Sequence, residues 1–150
     1  MNAAHQPRSQ STSGSNILVP ISIGELMDKI TILEIKSERI SNADQLDNIM
    51  HELSALRAVR LGDVDEKTLR GLSGELKRVN AELWDVEDAI RECDARGDFS
   101  ETFINLARAV YRLNDERARL KRRINLASGS RLIEEKSYRS FQRTGAGPGP

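Results

Sequence analysis

The chain has 150 residues, of which 38% are hydrophobic and 31% charged, and its 23 basic and 23 acidic side chains give a net charge of zero. This length is enough for one domain with a hydrophobic core. The single cysteine, Cys93, excludes an internal disulfide and a cysteine-based zinc cluster, and the sequence predicts neither a metal site nor a cofactor. Because no apolar stretch is long enough to span a bilayer and no signal peptide is visible, we expect a cytoplasmic protein.

Both ends of the chain are predicted to be flexible. Residues 1–16 are rich in Ser and Gln and have no apolar periodicity, and residues 139–150 end in a stretch rich in Gly and Pro. The folded domain, a single helical one, is therefore expected within residues 17–138.

The first two predicted helices cover about residues 22–40 and 43–59. The first begins at the capping box Ser22-x-x-Glu25, two residues after a proline that blocks an earlier start. The second has one apolar face, made by Leu46, Ile49, Leu53 and Leu56. Gly62 and Asp63 are expected to end this helix, and Asp63 is then expected to cap the third.

The third predicted helix, about residues 64–96, carries an unbroken heptad seam of apolar residues in alternating steps of three and four. The seam consists of Leu69, Leu72, Leu76, Val79, Leu83, Val86, Ile90 and Cys93. Such a narrow stripe is typical of a helix that packs lengthwise against another. Gly97 is expected to stop this helix, and a fourth follows over about residues 100–126. The short turn between them predicts an all-α, four-helix arrangement in which helices three and four form a long antiparallel hairpin.

Several apolar residues are left without an obvious place in such a bundle. Segment 130–138 carries Leu132 and Ile133 and is expected to dock as a short element. Ile32 and Ile35 lie on the face of the first helix opposite Ile30 and need cover from the tail, from the second helix or from another copy. Together with the long seam, they predict a homodimer at micromolar concentration.

Polar residues that interrupt the apolar faces are the candidates for a function. Buried charges are costly unless they are paired, so they seldom lie on an apolar stripe by accident. Helical wheels place such residues on the first helix, on one flank of the third and halfway along the fourth, where the face of Phe103 and Val110 turns polar. The candidate ligand-binding residues are Glu34, Asn80, Trp84, Glu87, Asn114, Arg117 and Lys121.

Two interpretations of these polar residues stay open. In the structural one, Asn sets the register, Arg and Lys extend past the apolar stripe, and Glu87 pairs with Arg91 on the surface. In the functional one, a polar pocket lies between the helices, where Arg117 and Lys121 face an anion and Glu34 or Glu87 supplies a counter-charge. No catalytic motif accompanies either arrangement.

Charge is segregated along the chain. Acidic residues predominate from Ser22 to Arg96, and basic residues predominate from Arg117 to Arg143. The basic cluster on the last turns of the fourth helix consists of Arg117, Arg119, Lys121, Arg122 and Arg123. It is expected either to complement the helix dipole and the acidic helices or to bind a phosphate or another anion. The sequence argues against nucleic acid as the partner, because the domain has no net positive charge and aromatic residues do not interleave with the basic cluster.

Four segments of the sequence carry a resemblance. VPISIGELMDKITILEIKSERI (19–40), ELWDVEDAIR (82–91), FINLARAVYRLNDERARLKRRIN (103–125) and EEKSY (134–138) are similar to a family of small bacterial proteins known only as a domain of unknown function. The resemblance covers residues 17–138. It implies an association with glycosyltransferases and cell-surface polysaccharide proteins, and it implies no catalytic residues.

These observations lead to three hypotheses about function. The first is a helical binding or accessory module, dimeric and cytoplasmic, with a protein partner in bacterial sugar transfer or surface-polysaccharide metabolism. The second is a small ligand-binding protein or enzyme that takes a phosphorylated or carboxylated metabolite in the interhelical pocket. The third is nucleic-acid binding through the basic C-terminal region.

Overall fold

The computed structural model describes residues 17–135, which form four helices and contain no strand. The helices are α1 (Ile23–Arg39), α2 (Ala43–Arg57), α3 (Glu66–Ala95) and α4 (Glu101–Ala127). The predicted all-α fold is confirmed, and each predicted helix boundary lies within two residues of the observed one. The ends predicted to be flexible lie outside the described residues, as do residues 136–138 of the predicted docking segment. None of the helices in the described range is long and apolar enough to cross a membrane.

Of the two predicted helix caps, Ser22 is confirmed and Asp63 is not. Ser22 caps α1, where its Oγ accepts a hydrogen bond from the Glu25 N–H at 3.1 Å. The cap of α3 is Asp65 and not Asp63, so that prediction was wrong. Gly62 adopts a φ of +72° and its carbonyl accepts from the Val64 N–H, and this turn delays the start of the helix by two residues.

Helices α3 and α4 form the predicted antiparallel hairpin. Gly97 adopts a left-handed φ of +67°, and the Asp98 N–H bonds back to the Cys93 carbonyl, which closes the end of α3 as a Schellman motif. The seam of α3 packs on α4 in one core cluster of Leu72, Leu76, Val79, Leu83, Leu113, Leu120 and Ile124.

Helix α1 lies between this hairpin and α2. One face of α1, with Leu26, Ile30 and Leu33, packs on Ile49 and Leu53 of α2 in a second core cluster. The face that carries Gly24, Asp28 and Thr31 contacts α3 and α4. By helical periodicity Ile35 shares this face, and it is only 2% exposed within the single chain, so it does not require a second copy for cover.

The hairpin extends beyond α1. Helix α1 ends at Arg39, whose guanidinium binds Asp85 at 2.5 Å. The part of α3 and α4 beyond this point, residues 86–110, is called the distal hairpin below. The ion pairs and hydrogen bonds that α1 makes with the hairpin helices reach α3 at Lys77, Asn80 and Asp85 and α4 at Arg117, Lys121 and Asn125, all outside this range. Val86 and Ile90 of the seam are only partly buried there.

Candidate functional site

The Asp28 carboxylate lies at the centre of a polar network that joins three helices. It is 1% exposed. From α4, Arg117 binds it with Nε on Oδ1 at 2.9 Å and Nη2 on Oδ2 at 2.5 Å. From α3, the Asn80 amide donates to Asp28 Oδ1 at 2.9 Å and to Thr31 Oγ at 3.0 Å. A two-point guanidinium–carboxylate contact fixes orientation as well as distance, so this network sets how α1 lies on the hairpin.

Charge in this network is neutralised within the chain. The hydrogen bond to Asp28 raises the pKa of Arg117 above its ordinary value, and burial opposes this only in part. The Thr31 hydroxyl donates to the Asp28 backbone carbonyl at 2.9 Å, which leaves Thr31 Oγ as an acceptor for Asn80. The groups therefore satisfy one another, and the arrangement can hold three helices in register.

A second polar contact lies nearer the end of α4, at Lys121. Its ammonium binds Glu25 of α1 at 2.6 Å and Glu134, beyond α4, at 2.9 Å. Burial lowers the pKa of Lys121, but the hydrogen bonds to Glu25 and Glu134 outweigh it, and the net shift is upward. Lys121 thus joins α1 to the segment that follows α4.

Beside Lys121, helices α1 and α4 approach each other closely. The Gly24 N–H donates to Asn125 Oδ1 at 2.6 Å. A Cβ on Gly24 would lie 2.4 Å from the Lys121 carbonyl oxygen, which is closer than side-chain carbons approach backbone. Glycine is required here because only its missing side chain lets α1 come so near to α4.

An open cleft of about 280 Å³ lies between α4 and the segment after it. Its lining consists of Ala118, Arg119, Lys121, Arg122, Asn125, Glu134 and Glu135. Lys121 and Asn125 are the buried members of this set. Among the described residues no group of His, Cys, Asp or Glu is arranged to hold a metal ion.

A known protein family matches the part of the chain that contains these contacts. The model of the family of unknown function DUF6165 matches residues 17–148. The chain belongs to this family. The match spans all four helices, the Asp28 network and the cleft, and it confirms the family resemblance seen in the sequence. Neither the curated proteins nor the solved structures contain a match. The association with glycosyltransferases therefore stays a prediction.

The residues predicted as ligand contacts are spread over several parts of the molecule. Asn80 and Arg117 meet in the Asp28 network, and Lys121 lies one turn further along α4. The amide of Asn114 donates to the Val110 carbonyl on its own helix at 3.0 Å. Arg117 and Lys121 contact carboxylates of the chain itself. A role for any of these residues in binding a ligand stays a prediction.

The other predicted contacts lie outside the Asp28 network. Glu34 binds Arg57 of α2 at 2.6 Å and Lys77 of α3 at 3.4 Å. The Trp84 ring lies under the Arg39 guanidinium, 5.7 Å from its centroid. Glu87 pairs with Arg91 at 3.3 Å, as the structural interpretation predicted.

Three residues of these networks were not predicted from the sequence. Asp28, Gly24 and Asn125 were not among the candidates, although the first two share a face of α1 with Thr31. This stripe of small and polar residues, opposite the apolar face of Leu26, was the available signal. Four members of the basic cluster are bound to carboxylates of the chain, namely Arg117, Lys121, Arg122 and Arg123.

Proposed function

We propose that this chain is a non-catalytic helical docking module that binds a second copy of itself through the distal hairpin. The supporting observation is the contrast between the two halves of one seam. Where α1 crosses the hairpin, Leu76 and Val79 are fully buried, whereas Val86 and Ile90 beyond the end of α1 are only partly buried; Cys93, the last residue of the seam, is buried again. A seam that continues without its covering helix favours a further helical partner.

The face of α4 supports the same surface. Arg117 and Lys121 point toward α1, and by helical periodicity Phe103, Ala107 and Val110 point in the same direction from the distal hairpin. All three are half-buried in the single chain. At the tip, Phe103 is held by an edge-to-face contact with Phe99, with ring centroids 5.1 Å apart.

A second copy suits this face because the face complements itself. On α3 its flank carries charges of both signs, Glu87 and Arg91, which are paired with each other at 3.3 Å. Under two-fold rotation the Glu87 of each copy can meet the Arg91 of the other, while the apolar residues of α4 meet in the middle. A hairpin face of roughly 15–18 Å by about 20 Å has a footprint of about 300–360 Å² per copy, or roughly 600–700 Å² in total, which is below the standard size and in the range of weak, transient interfaces. We therefore expect a micromolar dissociation constant.

Sedimentation equilibrium of two matched variants tests this dimer. Ala107→Glu places a charge in the proposed interface, and Asn105→Glu places the same charge on the opposite, exposed side of α4. The wild type and Asn105→Glu are expected to dimerise, and Ala107→Glu is expected to remain monomeric because its charge would be desolvated. A wild type that stays monomeric at roughly 100 µM, well above the expected Kd, or equal weakening by both variants, would contradict the dimer.

The cellular setting of the dimer is part of the same proposal. We place the dimer in the cytoplasm, and the family resemblance favours a protein partner in bacterial sugar transfer or surface-polysaccharide metabolism. In a bacterium that carries the gene, Ala107→Glu is expected to lower surface-polysaccharide content as deletion does, whereas Asn105→Glu keeps it normal. Unchanged polysaccharide after deletion would refute the link.

A further inference from the structure

We infer that the cleft between α4 and residues 131–135 is a binding site for a dianionic group, a phosphate monoester or a dicarboxylate, which takes the place of Glu134 and Glu135. This site is separate from the distal hairpin and goes beyond the docking function. It rests on the buried donors of the cleft and on the way the last described residues occupy it.

The floor of the cleft presents hydrogen-bond donors that the fold holds in place. Asn125 is 2% exposed, and its Oδ1 is fixed by the Gly24 N–H. Asn125 is also part of the lining of the cleft. Next to it lies the Lys121 ammonium, whose side chain is 9% exposed. A fixed amide donor beside a buried cation is a ready anion site.

The segment after α4 fills this cleft through its carboxylates. Glu134 binds Lys121 at 2.9 Å and Glu135 binds Arg122 at 2.8 Å. By contrast, the apolar side chains of this segment, Leu132 and Ile133, are 44% and 39% exposed. The segment is thus docked by charge, and an ion pair as exposed as Arg122–Glu135 adds little to its hold. An external anion can compete with such a segment.

The charges that line the cleft favour a ligand with two negative charges. With the segment bound, Glu25, Glu134 and Glu135 offset the cations of the cleft. Without it, the cations Arg119, Lys121 and Arg122 would lose two of the carboxylates that face them in the described part of the chain, an excess of two positive charges over the bound state. A phosphate monoester carries about −1.5 to −2 at pH 7 and so matches that excess. The volume of about 280 Å³ lies near the lower end for small-molecule sites.

Titration calorimetry at constant ionic strength tests the site, with inorganic phosphate and succinate as probes. The carboxylates of Glu134 and Glu135 are tethered to the cleft and compete with an added anion at a roughly millimolar effective concentration. The wild type should therefore bind the probes weakly, and the double variant Glu134→Gln, Glu135→Gln should bind them about tenfold more tightly. In that background, Arg119→Gln is expected to weaken binding several-fold. Arg123→Gln, which alters a cation bound to Glu75 outside the cleft, is the control and should have no effect.

The outcomes separate the two ligand classes and can overturn the site. Tighter binding of phosphate indicates a phosphoryl ligand, and tighter binding of succinate indicates a dicarboxylate. The site is overturned if the double variant binds neither probe, or if Arg123→Gln weakens binding as much as Arg119→Gln, since that result would show general surface charge. The dimer is measured independently, so either conclusion can fail without the other.

Discussion

The Asp28 carboxylate is the point at which α1, α3 and α4 share hydrogen bonds. Asp28→Ala would leave Arg117 and Asn80 without their common acceptor. Breaking a buried pair costs about 3–5 kcal/mol, but the Arg117 side chain is 27% exposed and can reach water. We therefore expect the free energy of unfolding to fall by about 2–4 kcal/mol in urea titrations.

Asp85→Ala is the matched control, because Asp85 also pairs with an arginine but its side chain is 67% exposed. Its loss should be at most about 1 kcal/mol. Replacing both partners, Asp28→Leu with Arg117→Met, should recover part of the loss since no buried charge is left unpaired. Equal losses for Asp28→Ala and Asp85→Ala would mean that the network contributes no more than a surface ion pair.

Deprotonation of Lys121 is expected to lower the free energy of unfolding at alkaline pH. Its pKa is raised above the ordinary value of 10.5 in the folded state by Glu25 and Glu134, against the lowering effect of burial. The folded state binds the Lys121 proton more tightly than the unfolded state does. The resulting stabilisation is complete below the pKa of Lys121 in the unfolded chain, and it is lost as the pH rises through the pKa of Lys121 in the folded protein. Urea midpoints above about pH 10 should therefore fall more steeply for the wild type than for Lys121→Met. Parallel curves for the two proteins would show that Lys121 is not linked in this way.

At the scale of the helices, the position of α1 depends on its close approach to α4 at Gly24. Gly24→Ala would bring a Cβ to 2.4 Å from the Lys121 carbonyl oxygen, so the two helices must separate. Overpacking of this kind costs about 1–3 kcal/mol. Gly74→Ala, at an open position of α3, is the control and should raise stability by about 0.5–1 kcal/mol. A neutral Gly24→Ala in thermal unfolding would show that the contact between α1 and α4 is looser than described.

The order of the helices could be predicted from sequence, but the position of α1 could not. The heptad seam and Gly97 define the hairpin because they are local signals along the chain. The contact between Asp28 and Arg117 joins residues 89 positions apart, and nothing in either helix alone identifies its partner. The same limit explains why the predicted ligand residues did not include Asp28, and why Asp65 replaced Asp63 as the cap of α3 once the turn at Gly62 had formed.

For the whole molecule, the important feature is that α1 covers only part of the hairpin. The burial of Ile35 removes one of the sequence arguments for a dimer, since this residue is covered within the chain. The distal hairpin supplies a different argument, because Phe103, Ala107 and Val110 continue the face that α1 covers elsewhere. An interface at the hairpin end would leave the cleft beside Lys121 accessible in the proposed dimer.

Dilution of the labelled protein, followed by amide chemical shifts, tests this interface most directly. Spectra from roughly 1 mM to roughly 10 µM bracket the dissociation that a micromolar-range interface should show. We expect concentration-dependent shifts confined to residues 86–110, with the amides around Leu76 and Lys121 unchanged. Spectra that do not change with concentration, or shifts centred on α1 and α2, would contradict docking through the distal hairpin.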